Sequence, residues 1–173
     1  MDINYVMAVD PGKATGVAFG RFALDMPMEI IFSGIIPGGT YGFAEWLYNT
    51  HDGKTIIEND CSYNFPEQYD ELDYHMDVVC ETFKARGGNF APDLEPVRIE
   101  GIIIDHFGNI INWQSPSDKS LIGDQFLKEN DLWQTGRDVG HTDGRDANDA
   151  IMHAFVHAMR IRHIPTLEAY WRQ

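Results

Sequence analysis

The chain has 173 residues, of which 43% are apolar and 12% aromatic, and this composition supports one domain with a sizeable core. Its formal net charge of −14 argues against a general nucleic-acid-binding role, because nonspecific DNA affinity comes largely from lysine and arginine side chains. The acidity is concentrated, since residues 45 to 81 contain ten carboxylates and a single basic residue, Lys54. We therefore expect one α/β domain over residues 1–173, with an acidic insertion at about residues 50–75.

The sequence carries no signal for export, membrane insertion or a structural zinc site. Residues 1–4 lack the basic start of a secretory signal, and no apolar run approaches the roughly 18 residues that a membrane span requires. Cys61 and Cys80 are the two cysteines, and they form no Cys-x-x-Cys pair. We expect a cytoplasmic protein with reduced thiols and no membrane partner.

The pattern of apolar residues predicts a mixed β-sheet flanked by α-helices. Short strand-like segments come first, at residues 5–9, 17–22 and 29–36, and a helix follows at 41–49. The remaining predicted elements are a strand at 76–83, a helix at 92–107, a strand at 110–114, a helix at 115–130 and a last helix from 146 to about 163.

Four acidic residues lie at the ends or beginnings of these elements. Asp10 and Glu81 each end an apolar strand, and Asp146 and Asp149 lie in the first turn of the last helix. Each has a common structural explanation when it is considered alone. An aspartate before Pro-Gly suits a turn, a glutamate often marks the emergence of a strand into solvent, and carboxylates in a first helical turn complement the helix dipole.

Considered together, the four carboxylates predict a metal site. Two strand ends and one helix amino terminus can converge at one edge of a sheet, where the carboxylates would repel one another strongly without cations. Mg²⁺ or Mn²⁺ would relieve this repulsion, since hard divalent cations prefer carboxylate oxygens and water. Two such ions, about 3.5 to 4 Å apart, can activate a water molecule and stabilise the leaving oxygen in phosphodiester hydrolysis. We expect two ions per site.

Four segments of the sequence also resemble those of a known family. They are Asp10 to Gly16, Val78 to Phe83, Gln114 to Lys119 and Asp146 to Ala150, of which the last is the most specific. Over most of the chain they resemble the short, bacteriophage-type members of the RuvC-like Holliday junction resolvases, in the RNase H-like superfamily.

This resemblance implies an RNase H-like fold and a homodimeric, Mg²⁺-dependent endonuclease of DNA recombination or repair. Such an enzyme nicks Holliday junctions or other branched DNA and leaves 5′-phosphate and 3′-hydroxyl ends. If the protein is encoded by a phage, its location would be the cytoplasm of the host cell. The resemblance further implies that the catalytic metal ligands are Asp10, Glu81, Asp146 and Asp149.

Lysine and histidine side chains could assist the same chemistry. Lys119 lies in the family's lysine-bearing segment, where an ammonium could contact the scissile phosphate, although an exposed lysine at a helix start is equally compatible with the pattern. His141 precedes the two aspartates and could assist proton transfer, but a single loop histidine is more often solvated. His153, His157 and His163, on the last helix, are interpreted as surface or packing residues.

A few residues near the acidic cluster are candidates for contact with DNA. Phe83 could stack on an unpaired base near the branch point, or it could be a core residue at the end of a strand. A basic rim around the site is a further expectation, and its candidate members beside His141 are Lys13, Lys84 and Arg86.

Two other functions compete with the nuclease. The protein could be a catalytically weak or inactive DNA-structure-binding or protein-interaction module whose acidic insertion contacts a basic partner. The spacing of Asp10, Gly12, Thr15 and Gly16 also resembles the phosphate loop of actin-like ATPases and sugar kinases. The length argues against this last alternative, because those enzymes need two such domains around the nucleotide.

Overall fold

The computed structural model describes residues 3–51, 76–84 and 93–171, and within these ranges five strands form one mixed sheet. The strands are β1 (Asn4–Asp10), β2 (Ala14–Ala23), β3 (Met26–Pro37), β4 (Met76–Glu81) and β5 (Ile111–Gln114). The helices are α1 (Gly39–His51), α2 (Glu95–Phe107), α3 (Gly123–Glu129), α4 (Arg145–Arg160) and α5 (Ile164–Trp171), with short 3₁₀ turns at Gly108–Ile110 and Asp118–Leu121.

The strand order is β3-β2-β1-β4-β5, and the direction of the strands changes in the middle of the sheet. β1, β2 and β3 form an antiparallel meander, whereas β4 pairs in parallel with β1 and β5 in parallel with β4. The carboxyl ends of β1, β4 and β5 therefore meet at one edge of the sheet. The predicted α/β fold, a mixed sheet flanked by helices, is confirmed.

Two apolar cores cover the two faces of this sheet. Because side chains alternate along a strand, successive residues of β1 and β4 enter different cores. Met7, Val9, Val78 and Cys80 pack with residues of α1 and α2. The other core joins the opposite face to α3, α4 and α5, and its members from the central strands are Val6, Ala8 and Val79. The same alternation directs Asp10 and Glu81 toward the face that α4 covers.

The carboxy-terminal third of the chain differs from the sequence prediction. The single helix predicted at 115–130 is wrong, since a 3₁₀ turn ends at Leu121 and α3 begins only at Gly123, whose φ of +74° favours glycine. The last helix ends at Arg160 instead of about His163, and Arg162 adopts a left-handed φ of +54°. A further helix, α5, was not predicted, and Pro165 in its first turn suits a helix start.

α5 is fixed to the sheet by polar contacts with β3. The Met28 amide donates a 2.7 Å hydrogen bond to Thr166 Oγ1, and the Tyr170 hydroxyl donates to the Met28 carbonyl at 3.0 Å. His163 contacts the Ala23 carbonyl through Nε2 at 2.8 Å. These contacts join the chain's last described helix to the edge of the sheet.

Several predictions fall on residues outside the described ranges. They include most of the acidic insertion at about 50–75, the DNA-contact candidate Arg86, and Cys61. The first two positions of that insertion lie in α1, and Cys80 is buried as expected. In the part of the chain that the structure describes, no helix is both long and apolar enough to cross a membrane.

Candidate metal centre

The ends of three neighbouring strands create the floor of the site. Val9 of β1 pairs with Cys80 of β4. Asp10 directly follows Val9 and Glu81 directly follows Cys80, so the two carboxylates lie side by side at the same edge of the sheet. Glu81 in turn pairs with Gln114, the last residue of β5. One polar side chain from each strand therefore lies beneath the amino-terminal half of α4.

A close backbone contact sets the position of α4 above this floor. A Cβ atom added at Gly16 of β2 would lie 1.9 Å from the carbonyl oxygen of Asp146, so a larger residue would push the helix away. The turn before β2 is closed by the Thr15 hydroxyl, which donates to the Gly12 carbonyl at 3.0 Å. The Thr-Gly pair of the first motif thus brings the start of α4 to the strand ends.

Three carboxylates converge on the ammonium group of Lys119. Lys119 Nζ lies 2.6 Å from Asp149 Oδ2, 3.0 Å from Glu81 Oε2 and 3.6 Å from Asp10 Oδ1. The lysine side chain retains 24% of its exposure, whereas each carboxylate is more buried. A cation from the chain itself therefore occupies the centre of the acidic cluster.

The turn that carries Lys119 is fixed by its neighbour Asp118. One oxygen of this carboxylate, Oδ2, accepts from the Ser115 amide and from Arg160 Nη2, both at 2.6 Å. Arg160 Nη1 also donates to the Trp113 carbonyl at 3.3 Å. The 3₁₀ turn is thereby tied both to the end of β5 and to the end of α4.

Burial and charge shift the pKa values of the clustered groups in opposite directions. Burial raises the pKa of Asp10 well above its ordinary value; Lys119 opposes the shift, and the neighbouring carboxylates reinforce it. Burial would also raise the pKa of Glu81, but hydrogen bonds from His153 and Lys119 outweigh it and the pKa is lowered. Burial would lower the pKa of Lys119, yet the surrounding carboxylates raise it. Perturbed pKa values of this kind, caused by burial and specific charged neighbours, are typical of functional sites.

Asp146 lies at the margin of this cluster. Burial raises the pKa of its carboxyl, and Asp143 and Asp149 add to that shift while His141 and Lys119 oppose it. Asp146 therefore belongs to the same electrostatic environment. Its predicted role as a metal ligand stays a prediction.

The donor groups fit a divalent cation. Single ligand atoms of Asp10, Glu81 and His153 all lie within 4.8 Å of one another, which is compatible with one shared ion. The Lys119 ammonium shows that the neighbouring oxygens already hold a positive charge at their centre. The carboxylate oxygens of Asp10 and Glu81 suit Mg²⁺ and Mn²⁺. These residues form a candidate metal site.

Sequence reasoning missed the contact that His153 makes with this site. His153 is fully buried; Nε2 lies 2.8 Å from Glu81 Oε2, and Nδ1 lies 2.7 Å from Gln114 Oε1. The sequence did contain a sign that His153 faces the acidic site, because Asp146, Asp149 and His153 have the i, i+3, i+7 spacing of one helix face. The partners on β4 and β5 could not be assigned without the strand pairing.

The predicted DNA-contact residues have separate local partners. Lys84 Nζ donates to Ser115 Oγ at 2.8 Å, and the highly exposed Lys13 lies 3.8 Å from an Asp93 oxygen. Phe83 is half-buried at the end of β4. His141 is also half-buried and contacts the adjacent Thr142 hydroxyl at 3.3 Å. Phe83 and Lys84 follow Glu81 closely, and their predicted contact with DNA stays a prediction.

A cleft opens beside Asp149. It has a volume of about 510 Å³ and lies between residues 133–136 and residues 142–145, with Asp124 and Asn148 also in its lining. The Asn148 side chain joins the two walls, because its amide donates to the Gln134 carbonyl at 2.9 Å and its oxygen accepts from the Gln134 amide at 2.8 Å. The acidic cluster is therefore accessible from a groove with a fixed wall.

Two solved structures share this architecture over nearly the whole chain. RuvC from Thermus thermophilus in complex with Holliday junction substrate matches with a TM-score of 0.50 and 13% identity, covering 93% of this chain and 97% of that chain. A second structure of Thermus thermophilus RuvC matches with a TM-score of 0.53 and 11% identity, covering 91% of this chain and 95% of that chain.

No protein-family model and no curated protein matches the sequence. At this level of identity, the similarity to solved structures concerns the fold. The sheet order, the flanking helices and these two matches agree, and the chain has a RuvC-type, RNase H-like fold.

Proposed function

We propose that the protein is a metal-dependent endonuclease that cleaves Holliday junctions or other branched DNA. The observation that carries this proposal is the convergence of the Asp10, Glu81 and Asp149 carboxylates on one ammonium at the carboxyl end of the central strands. The structure of RuvC with a Holliday junction supports branched DNA as the substrate class.

The proposed site consists of the four acids and Lys119. Asp10, Glu81, Asp146 and Asp149 would hold Mg²⁺ or Mn²⁺, and two bound ions would supply an activated water and stabilise the leaving oxygen. Lys119 would exchange its carboxylate contacts for the scissile phosphate, since its side chain is partly exposed and its charge is strongly maintained. Phe83 and Lys84 would contact the DNA beside the cut, because they follow Glu81 directly.

A cleavage assay with branched and linear DNA tests this proposal. Labelled four-way junction, flap and linear duplex DNA would be incubated with the protein in Mg²⁺ and in Mn²⁺. We expect cleavage of branched DNA to leave 5′-phosphate and 3′-hydroxyl ends, and Asp10→Asn and Glu81→Gln to abolish it. Asp25→Asn is a matched control, since Asp25 is an exposed turn residue between β2 and β3.

Cleavage that persists in both active-site variants would contradict the proposal. The alternative is a DNA-structure-binding or protein-interaction module, which the charge of −9 at residues 45 to 81 favours. That alternative predicts junction binding without cleavage, or capture of a basic partner that depends on the acidic insertion, in either case without divalent-ion binding.

The proposed enzyme acts as a homodimer, as the family resemblance implies. A dimer would present two copies of the acidic site to the two sides of a branched substrate. Light scattering coupled to size exclusion should give twice the chain mass of 19.7 kDa. A monomer that cleaves junctions would contradict this part of the proposal.

A further inference from the structure

We propose that His153 and Gln114 are positioning residues that fix the orientation of the Glu81 carboxylate for binding a divalent cation. This inference rests on the proposed function, because it assigns Glu81 as a metal ligand. It adds two residues, at the end of β5 and in the middle of α4, that the acidic motif does not include and to which the family resemblance assigns no role.

The orientation of the Gln114 amide follows from its contacts. One side-chain atom lies 3.0 Å from the His153 carbonyl oxygen, which can only accept, so that atom is the amide nitrogen. The other atom, Oε1, then faces His153 Nδ1 at 2.7 Å and must accept a proton from it. Gln114 therefore holds both the backbone and the ring of His153, and it fixes Nδ1 as a donor.

The opposite ring nitrogen is directed at Glu81. His153 Nε2 lies 2.8 Å from Glu81 Oε2, and because an ionised carboxylate can only accept, Nε2 donates this hydrogen bond and both ring nitrogens carry a proton. The same oxygen is 3.0 Å from Lys119 Nζ. Glu81 is thus held from beneath by the histidine, while Lys119 faces it from the more exposed side.

Burial makes this arrangement rigid. His153 is 0% exposed and Gln114 is 1% exposed, so neither side chain can turn toward solvent. A glutamate has three side-chain torsions, and fixing them before a ligand arrives reduces the entropy cost of binding. Hydrogen-bonded partners of metal ligands act in this way, and their removal typically weakens metal affinity about 10- to 100-fold.

A second histidine on the same helix provides a matched control. His157 lies one turn after His153, is 3% exposed, and places Nε2 at 2.9 Å from Asp77 Oδ2. Asp77 is near the start of β4, whereas Glu81 is at its end. The two histidines therefore share burial, helix and partner type, and they differ in whether the partner belongs to the acidic cluster.

The test is a calorimetric titration of the DNA-free protein with Mn²⁺. We expect His153→Leu and Gln114→Leu to weaken Mn²⁺ binding about 10- to 100-fold, and His157→Leu to leave it unchanged. His153→Gln keeps a side-chain donor and should recover part of the loss. Circular dichroism and thermal melting would be recorded for each variant, and Gln114→Leu decides the question if His153→Leu does not fold.

Two results would overturn the inference while leaving the nuclease intact. One is Mn²⁺ affinity within twofold of the wild type in the folded Gln114→Leu protein, and in His153→Leu where that variant folds. The other is ¹⁴N hyperfine coupling to bound Mn²⁺ that disappears in His153→Gln, which would make His153 a direct ligand. A wild-type protein that binds no Mn²⁺ or Mg²⁺ would overturn the proposed function as well.

Discussion

The two halves of α4 differ in burial and in the chemistry of their side chains. The amino-terminal half carries Asp146 and Asp149 of the acidic cluster, where like charges are gathered, and His153 follows at the middle of the helix. The carboxy-terminal half packs apolar residues such as Phe155 and Ala158 into the core. Core packing is densest in the carboxy-terminal half, although Ala150 and Ile151 of the other half also contribute, and this packing holds the repelling carboxylates in place.

The largest expected effect on stability comes from the carboxy-terminal half. Phe155 is fully buried and makes edge contacts with Phe126 and Tyr170 at centroid distances of 5.2 and 4.9 Å. Phe155→Ala should lower the free energy of unfolding by about 3 to 5 kcal/mol, because it removes buried apolar surface and leaves a cavity. Urea denaturation would measure this, and a loss below about 1 kcal/mol would contradict the assigned role of this half.

A smaller loss is expected when the internal cation is removed. Lys119→Met should destabilise the metal-free protein by about 1 to 3 kcal/mol, because three carboxylates lose their shared counter-charge in a site that is partly open to solvent. Thermal melting in EDTA would measure the loss of the lysine charge alone, and melting in Mn²⁺ would measure how far a metal ion replaces that charge. We expect Mn²⁺ to restore much of the stability, and a variant as stable as wild type in EDTA would contradict the electrostatic account.

Replacing Asp10 is expected to raise the free energy of unfolding of the metal-free protein instead of lowering it. A carboxyl with a raised pKa in the folded state contributes stability that is fully present below its unfolded pKa, near 3.8, and is lost as the pH rises through the folded pKa. In EDTA, the stability of Asp10→Asn relative to wild type should therefore increase as the pH rises over that range. Unfolding at several pH values would test this, and a growing disadvantage of the variant with rising pH would refute it.

The smallest effect is expected at the far end of α4. Arg160 is exposed and pairs with Asp118 at 2.6 Å, and exposed ion pairs typically contribute about 0.2 to 1 kcal/mol. Arg160→Met should lower stability by no more than this and should leave Mn²⁺ affinity unchanged. A loss of several kcal/mol in urea denaturation would show that this contact has a larger structural role than its exposure indicates.

The sequence was sufficient to predict the elements that have strong periodicity. The central strands and α4 follow from apolar runs and helical spacing, and Asp10 and Glu81 were identifiable because each ends such a run. The separation of α4 and α5 was less accessible, since it depends on the left-handed backbone at Arg162. Local sequence preference determines the central strands and α4, whereas the break between α4 and α5 depends on the backbone φ of Arg162.

The contacts of His153 could not be predicted for a different reason. Its partners, Gln114 and Glu81, are 39 and 72 residues away in the chain. Only the pairing of β4 with β5 brings those two side chains under α4. A histidine on an apolar helix face is ordinarily a packing residue, and the spacing to Asp149 alone does not distinguish the two roles.

The most direct test of the acidic cluster as a metal site is a crystal of the protein soaked with Mn²⁺. The account predicts an anomalous difference peak about 2.1 Å from carboxylate oxygens of Asp10, Glu81 and Asp149, with the Lys119 ammonium moved away from them. An unchanged Lys119 contact with no peak at the strand ends, or Mn²⁺ bound only elsewhere, would contradict it.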